Sequence, residues 1–197
     1  MLLYNNPLSG NCYKVRLLFA HLSIEYERRD LDVFDRSNRR EVLGAVNPAL
    51  RVPSLVLDDG RSLAESGAIL FHFAQGTEYL PADRFERAQA LQWLFYEQYE
   101  IEPNIAVARF WRMAGLHVPE AEREAKRQAG TNALRALESH LGSREFLVGG
   151  RYSIADIALF GYSHVAPEGG FELEPYPAVR EWLTRVAAQP GHIAITD

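Results

Sequence analysis

The amino-acid sequence predicts two domains of different fold class, a small α/β domain followed by an all-helical (all-α) domain. In the first 80 residues, short apolar runs typical of strands alternate with helical spacings of apolar residues, in the order βαβ, then α, then ββα. Beyond about Leu80 no strand pattern of similar quality appears, and long helical stretches follow. We therefore assign residues 1–78 to the α/β domain and residues 84–197 to the helical domain.

The elements of the first domain follow from local patterns. Residues 2–4 form an apolar run typical of a strand, and a helical spacing of apolar residues covers 13–22. The pair Asp59-Gly60 predicts a tight hairpin between two short strands, because both residues tolerate the backbone angles of a two-residue turn. The other predicted elements are a weaker strand at 24–31, a helix at 39–46 that ends before Asn47-Pro48, and a helix at 65–74.

The helical domain divides at turn residues. The predicted helices are 84 to about 114, 120–141, 154–165 and 178–188. Ser153 and Asp156 have the spacing of a capping box, and Tyr152 and Ile157 have that of a hydrophobic staple. The helix that follows is apolar on nearly every face, so we expect it to be buried at the centre of this domain.

Composition narrows the class of protein. The chain has 197 residues and a net charge of −5, so nothing general attracts it to nucleic acid or to an anionic membrane. One cysteine excludes an intrachain disulfide and fits a reducing, cytoplasmic compartment. No stretch of 18 apolar residues and no secretory signal pattern is visible, and the six histidines show no metal-binding spacing. We expect no metal, no nucleic-acid partner and no membrane span.

Two segments place polar residues at a predicted helix start. "SGNCYKVR" (9–16) offers the Ser9 hydroxyl and the Asn11 amide, and "ESG" opens the helix at 65–74. A helix N-terminus carries unpaired N–H groups and the positive end of the helix dipole, so each segment can hold an anion. Each also has a purely structural interpretation. Ser9 and Asn11 are good N-cap residues, and Ser62 and Glu65 in "SLAE" fit a capping box.

Four motifs occur together and in order: "SGNCYKVRLLFAHLSIEYE", "NPALRVPSLVLDDGRSLAESGAIL", "GGRYSIADIALFGY" and "YPAVREWLTRVAAQPG". With these motifs essentially the whole chain resembles a cytosolic glutathione transferase, of a bacterial type with serine and asparagine in the first loop, similar to the nu and zeta classes. The resemblance implies an N-terminal thioredoxin-like βαβ-α-ββα domain, glutathione as co-substrate, and a homodimer.

The resemblance also implies roles for individual residues. The Val52–Pro53 bond is expected to be cis. A cis bond turns the Val52 N–H and carbonyl outward, where glutathione can pair with them like an added strand. Arg51 is expected near the glycine end of glutathione. Glu65 is expected to pair with the ammonium of the γ-glutamyl end, and Ser66 with its carboxylate.

The resemblance implies that a Tyr, Ser or Cys of the first loop activates the glutathione thiol. We predict Ser9, helped by Asn11, in this role. Two rivals stay open: Tyr4, at the end of the first strand, and Cys12, through a mixed disulfide with glutathione. The structural interpretation of Cys12 is a small residue packed under the helix, and that of Ser9 and Asn11 is plain N-capping.

The second substrate is expected between the domains, in an apolar pocket that includes Tyr99 and Phe110. The predicted function is transfer of glutathione to apolar electrophiles, with glutathione-dependent reduction of disulfides or peroxides as a related activity. A zeta-type isomerase resembling maleylacetoacetate isomerase, and a non-catalytic relative that serves protein contacts, remain as alternatives.

Overall fold

The computed structural model describes all 197 residues of the chain, which form two compact units. The first unit contains residues 1–75 together with 190–197, and the second contains residues 76–189. The sequence predicted that the helical domain would run to residue 197. The last eight residues, Pro190–Asp197, instead belong to the first unit.

A mixed four-stranded sheet forms the centre of the first unit. Its strands are β1 (Leu2–Asn5), β2 (Glu27–Asp30), β3 (Ser54–Val56) and β4 (Ser62–Ala64), in the spatial order β2-β1-β3-β4. β1 and β2 are parallel and are connected through α1 (Gly10–His21), whereas β3 pairs antiparallel with both β1 and β4. The other helices are α2 (Arg39–Leu43) and α3 (Ser66–Ala74). The predicted βαβ-α-ββα order is confirmed.

The core of the first unit lies between the sheet and two helices. Leu3 and Leu55 from the sheet, Val15 and Phe19 from α1, and Ile69 from α3 form one cluster without solvent exposure. Burial of this apolar surface holds α1 and α3 against the sheet. It therefore fixes the positions of both helix N-termini that the sequence singled out.

The C-terminal segment is held in the first unit by polar groups of α1. The Tyr13 hydroxyl donates to the Ile193 carbonyl at 2.7 Å. The buried Arg16 guanidinium donates to the carbonyls of Ile195 at 2.7 Å and Pro7 at 3.2 Å. A buried cation needs several acceptors, and these carbonyls supply them. This requirement is the physical reason that residues 190–197 pack with the first unit.

The second unit is helical throughout. Its elements are α4 (Arg84–Tyr96), a π-helical segment (Glu97–Ala106), α5 (Val107–Met113), α6 (Glu120–Leu141), α7 (Ile154–Ser163), a 3₁₀ turn (Ala166–Gly169) and α8 (Pro177–Ala187). No helix among them combines the length and the apolar character that crossing a membrane requires. The predicted helix from 84 to about 114 is helical over its length, but its middle is π-helical. Pro103 lies inside that segment. Because proline has no N–H and clashes with the carbonyl four residues earlier, a widened turn accommodates it better than an α-turn.

Helix α7 begins with the capping box that the sequence predicted. Both hydrogen bonds of the box between Ser153 and Asp156 are present, and every residue of α7 is buried. Asp156 also accepts hydrogen bonds from the Leu147 N–H at 3.0 Å and the Trp182 indole N–H at 2.9 Å. Its carboxylate thus joins the start of α7 to α8 and to the preceding loop.

Candidate active site

Helix α1 starts three residues earlier than predicted, at Gly10, with Ser9 as its N-cap. The Ser9 oxygen accepts the Cys12 N–H at 3.3 Å. The prediction that Ser9 is an N-cap is therefore correct. This contact uses the acceptor capacity of the hydroxyl; its single proton lies within reach of the Cys12 sulfur and would be donated to a bound anion instead. Ser9 thus stands at the positive end of α1, where a thiolate would be stabilised.

The two rivals of Ser9 are buried in the core. Cys12 is a free cysteine without solvent exposure, and burial raises the pKa of its thiol to about 11. Hydrogen bonds with Ser9 and with the Asn6 backbone act in the opposite direction but are outweighed by desolvation. Tyr4 packs in a cluster with Leu31 and Leu43. Both side chains therefore have the environment of packing residues rather than of a reactive group.

The two predicted helix starts meet at Asn11. The Ser66 hydroxyl donates to the Asn11 side-chain oxygen Oδ1 at 3.2 Å, and the Lys14 ammonium donates to the same oxygen at 2.7 Å. Ser66 and Lys14 are buried, and Asn11 is half-buried. The structure thus joins the first loop to the "ESG" segment, 55 residues apart in sequence, through one amide.

The start of α3 does not have the geometry of a capping box. Ser66 is the first helical residue, and Glu65, at the N-cap position, makes no capping hydrogen bond through its side chain. The structural interpretation of "SLAE" is therefore wrong. Glu65 has a φ of 69°, in the left-handed region that residues other than glycine rarely adopt. Such backbone strain concentrates at ligand-binding positions, and the Glu65 side chain is exposed.

A short loop before β3 completes the site. The Val52–Pro53 bond is cis, as expected. The Asn47 amide donates to the Arg51 carbonyl at 3.1 Å and to the Ser54 hydroxyl at 3.0 Å, which fastens the loop on both sides of Val52. The Val52 N–H and carbonyl make no hydrogen bond within the chain. They are the groups with which an extended peptide would pair.

The remaining predicted residues have different environments. Pro53 is buried and Arg51 is exposed. In the second unit, Tyr99 lies on the π-helical segment and is 79% exposed, while Phe110 lies on α5 and is 36% exposed. Neither aromatic side chain is buried in the core of the second unit.

Two residues of the site, Asn47 and Lys14, are not predicted as site residues from the sequence. Asn47 was interpreted only as part of an Asn-Pro turn, although a buried asparagine in a loop is a common way to tie two backbone segments together. Lys14 was interpreted only as part of a helix. Its position three residues after Asn11 puts both on one face of α1, and this spacing was the available signal.

Family profiles and solved structures that match this chain all indicate the same family. The profile described as "Glutathione S-transferase, N-terminal domain" matches residues 3–78, and the profile "Glutathione S-transferase, C-terminal domain" matches residues 88–190. The crystal structure of a glutathione S-transferase from Pseudomonas fluorescens Pf-5 is 44% identical, with a TM-score of 0.94 over 100% of this chain and 98% of that chain.

Two curated proteins are similar to this chain over nearly its whole length. Glutathione S-transferase 2 of Anopheles gambiae is 30% identical over 194 residues, which cover 95% of this chain and 91% of that protein. The disulfide-bond oxidoreductase YfcG of Escherichia coli (strain K12) is 28% identical over 196 residues, which cover 96% and 91% of the two proteins. These matches extend over both units and over all four motifs that carried the resemblance. The chain belongs to the glutathione S-transferase family.

Proposed function

We propose that the protein is a glutathione transferase that activates the thiol of glutathione for attack on electrophilic small molecules. The observation that carries the proposal is the contact between Asn11, at the start of α1, and Ser66, at the start of α3. Two helix N-termini then converge on one place, and each favours a negative charge. Glutathione offers one negative charge to each helix N-terminus, the thiolate of its cysteine to α1 and the γ-glutamyl carboxylate to α3.

Backbone and side-chain groups of the first unit would hold glutathione along its length. The Ser66 hydroxyl and the N–H groups at the start of α3 receive the γ-glutamyl carboxylate, and Glu65 receives the ammonium. The Val52 N–H and carbonyl pair with the cysteinyl backbone, next to Pro53. The exposed Arg51 guanidinium lies toward the glycine carboxylate.

The thiolate would be stabilised at the N-terminus of α1. A free thiol has a pKa of about 8.5, and lowering that pKa by about 2 units requires about 2.7 kcal/mol of preference for the anion. The Ser9 hydroxyl and the Asn11 amide each donate one hydrogen bond, and the α1 dipole adds to them. The thiolate sulfur forms a bond to an electrophilic carbon, and the leaving group departs with its electron pair.

The same thiolate can reduce disulfides. Its attack on one sulfur of a disulfide gives a mixed disulfide and releases the other sulfur as a thiolate, and a second glutathione completes the exchange. The oxidoreductase relative supports this second activity. The zeta-type isomerase and a non-catalytic interaction protein are not favoured. We also propose that Tyr99 and Phe110 contact the apolar part of the electrophile.

We propose a homodimer in the cytoplasm as the working form. Phe85 and Phe95 on α4 are 71% and 72% exposed. Large exposed apolar side chains on one helix are typical of an interaction surface, and a two-fold contact between identical helices would cover them. The single cysteine, a buried free thiol, fits a reducing compartment.

Calorimetric titration with glutathione tests the proposal, with Ser66→Ala as the variant. Loss of a charge-assisted hydrogen bond worth about 1.5–3 kcal/mol should weaken the affinity about tenfold or more. Ser62→Ala, the same change at the exposed first residue of strand β4, serves as the matched control and should bind like the wild type. If the wild type does not bind glutathione at millimolar concentration, the proposed function is wrong. If the wild type binds glutathione and Ser66→Ala binds it equally well, the carboxylate site lies elsewhere.

A further inference from the structure

The Lys14 side chain is the unusual feature of α1. It is 1% exposed, and its ammonium donates to Asn11 Oδ1 at 2.7 Å. Burying an ammonium is costly unless its hydrogen bonds are made, so such a residue needs a structural or functional reason. Lys14 lies one helical turn after Asn11, which directs its ammonium back toward the helix start.

An ammonium group fixes which end of an amide faces it. It has three donors and no acceptor, so only the oxygen of Asn11 can face Lys14. A reversed amide would place its NH₂ donors against the ammonium. Lys14 therefore holds the Asn11 carbonyl on its own side, and the NH₂ group is the end that Asn11 directs away from it.

The Ser66 contact alone would not hold the amide during the reaction. A hydroxyl has a single proton, and Ser66 now donates it to Asn11 Oδ1 at 3.2 Å. In the proposed function this proton is donated to the γ-glutamyl carboxylate of glutathione instead. Once that exchange occurs, the Lys14 ammonium continues to hold Asn11 Oδ1.

We infer that Lys14 is a positioning residue for thiolate activation, which keeps the Asn11 NH₂ group directed at the glutathione sulfur by holding its Oδ1. This inference rests on the proposed function and deepens it. A charge-assisted hydrogen bond of this length is about twice as strong as a neutral one, and the positive charge polarises the amide so that its N–H donors strengthen. Lys14 itself does not touch the sulfur.

Other ionisable groups nearby do not replace Lys14. On α1, burial raises the pKa of both Cys12 and Tyr13, so both stay neutral near pH 7. Arg16 donates to the carbonyls of Pro7 and Ile195. At the start of α3, the N-cap residue Glu65 is exposed to solvent.

Lys14→Met tests the inference, because methionine keeps a long unbranched side chain without the ammonium. The ultraviolet absorbance of bound glutathione thiolate, followed as pH rises, measures the pKa of the thiol. We expect this pKa to rise by about one unit, from about 6.5 to about 7.5, which leaves about threefold less thiolate at pH 7. Turnover should fall by a similar factor. KM for glutathione should rise by no more than about threefold, which is the loss of affinity that the higher thiol pKa alone produces, since Lys14 makes no contact that holds the ligand.

Three further variants separate positioning from other effects. Lys14→Arg keeps a cationic donor and should recover most of the lost turnover. In an Asn11→Ala background, Lys14→Met should add nothing further, because its effect passes through Asn11. The matched control is Lys126→Met, the same change at the only other lysine, whose ammonium lies 3.5 Å from the Asn104 side-chain oxygen in the second unit. It should leave the thiol pKa unchanged.

A wild-type thiol pKa in Lys14→Met, with glutathione still bound, would overturn the inference while the proposed function stands. An equal additional effect of Lys14→Met in the Asn11→Ala background would also overturn it. If Lys14→Met does not fold, Lys14→Gln carries the test. It should raise the thiol pKa by about half as much, and an unchanged value would count against positioning. A wild-type enzyme that binds no glutathione would overturn the proposed function itself.

Discussion

Asp156→Asn probes the network at the start of α7. One carboxylate oxygen accepts the Leu147 and Trp182 N–H groups at 3.0 and 2.9 Å, and the other accepts the Ser153 N–H at 3.0 Å and its hydroxyl at 3.2 Å. Asparagine keeps one oxygen but turns the other into an NH₂ donor that faces the Ser153 N–H. An unpaired buried donor costs about 1–3 kcal/mol. We expect the free energy of unfolding of the second unit to fall by that amount near neutral pH.

The loss of stability in Asp156→Asn should depend on pH, because Asp156 titrates and asparagine does not. Burial raises the pKa of Asp156 from 3.8 to about 6, so the folded state binds the proton more tightly than the unfolded state. The resulting stabilisation is complete below the unfolded pKa and is lost as pH rises through the folded pKa. Between about pH 5 and about pH 7 the wild type should lose about 1.3 kcal/mol from this group. Asparagine does not titrate, so the difference between the two proteins should be about 1 kcal/mol larger at the lower pH.

Urea titrations at both pH values, followed by tryptophan fluorescence at fixed protein concentration, measure the effect. All three tryptophans, at positions 93, 111 and 182, lie in the second unit and report its unfolding. The control is Asp83→Asn at the exposed N-cap of α4, where asparagine caps as well as aspartate; it should change stability by less than about 0.5 kcal/mol at either pH. A difference that is larger at the higher pH would refute the reasoning, because the four hydrogen bonds would then outweigh desolvation.

Three shorter predictions concern other parts of the chain. Iodoacetamide should alkylate Cys12 about 100-fold more slowly in the folded than in the unfolded protein near pH 7.5, because burial and a pKa of about 11 leave little thiolate; rates within tenfold of each other would contradict the packing role. Tyr13→Phe removes the hydroxyl that holds the C-terminal segment, so amide exchange in 190–197 should accelerate by about fivefold, corresponding to about 1 kcal/mol; unchanged exchange would mean that Tyr13 does not hold it. Phe95→Asp should convert the dimer to a monomer in light scattering at micromolar concentration, whereas a wild-type mass near 22.3 kDa would reject the dimer itself.

Long-range features of the site could not be obtained from local patterns. Asn11 and Ser66 are 55 residues apart, and each segment alone was compatible with simple capping. Their contact depends on how α1 and α3 pack on the sheet. The burial of Lys14 also depends on tertiary packing, because a lysine in a helix is ordinarily solvated. The conformation of Glu65 is also a consequence of its surroundings, since its own backbone preference disfavours a positive φ.

The sequence by itself determined the order of the elements, the existence of the hairpin around Gly60 and the capping box at Ser153, because these depend on residues a few positions apart. The predicted two-residue turn at Asp59-Gly60 is wrong in length, since residues 57–61 join β3 to β4. Tertiary structure decided the placement of residues 190–197, which the buried Arg16 draws into the first unit by its need for acceptors. It also decided the π-helical turns around Pro103. Propensity and spacing are properties of a short segment, whereas satisfying a buried charge or a missing N–H depends on whichever groups the folded chain brings within reach.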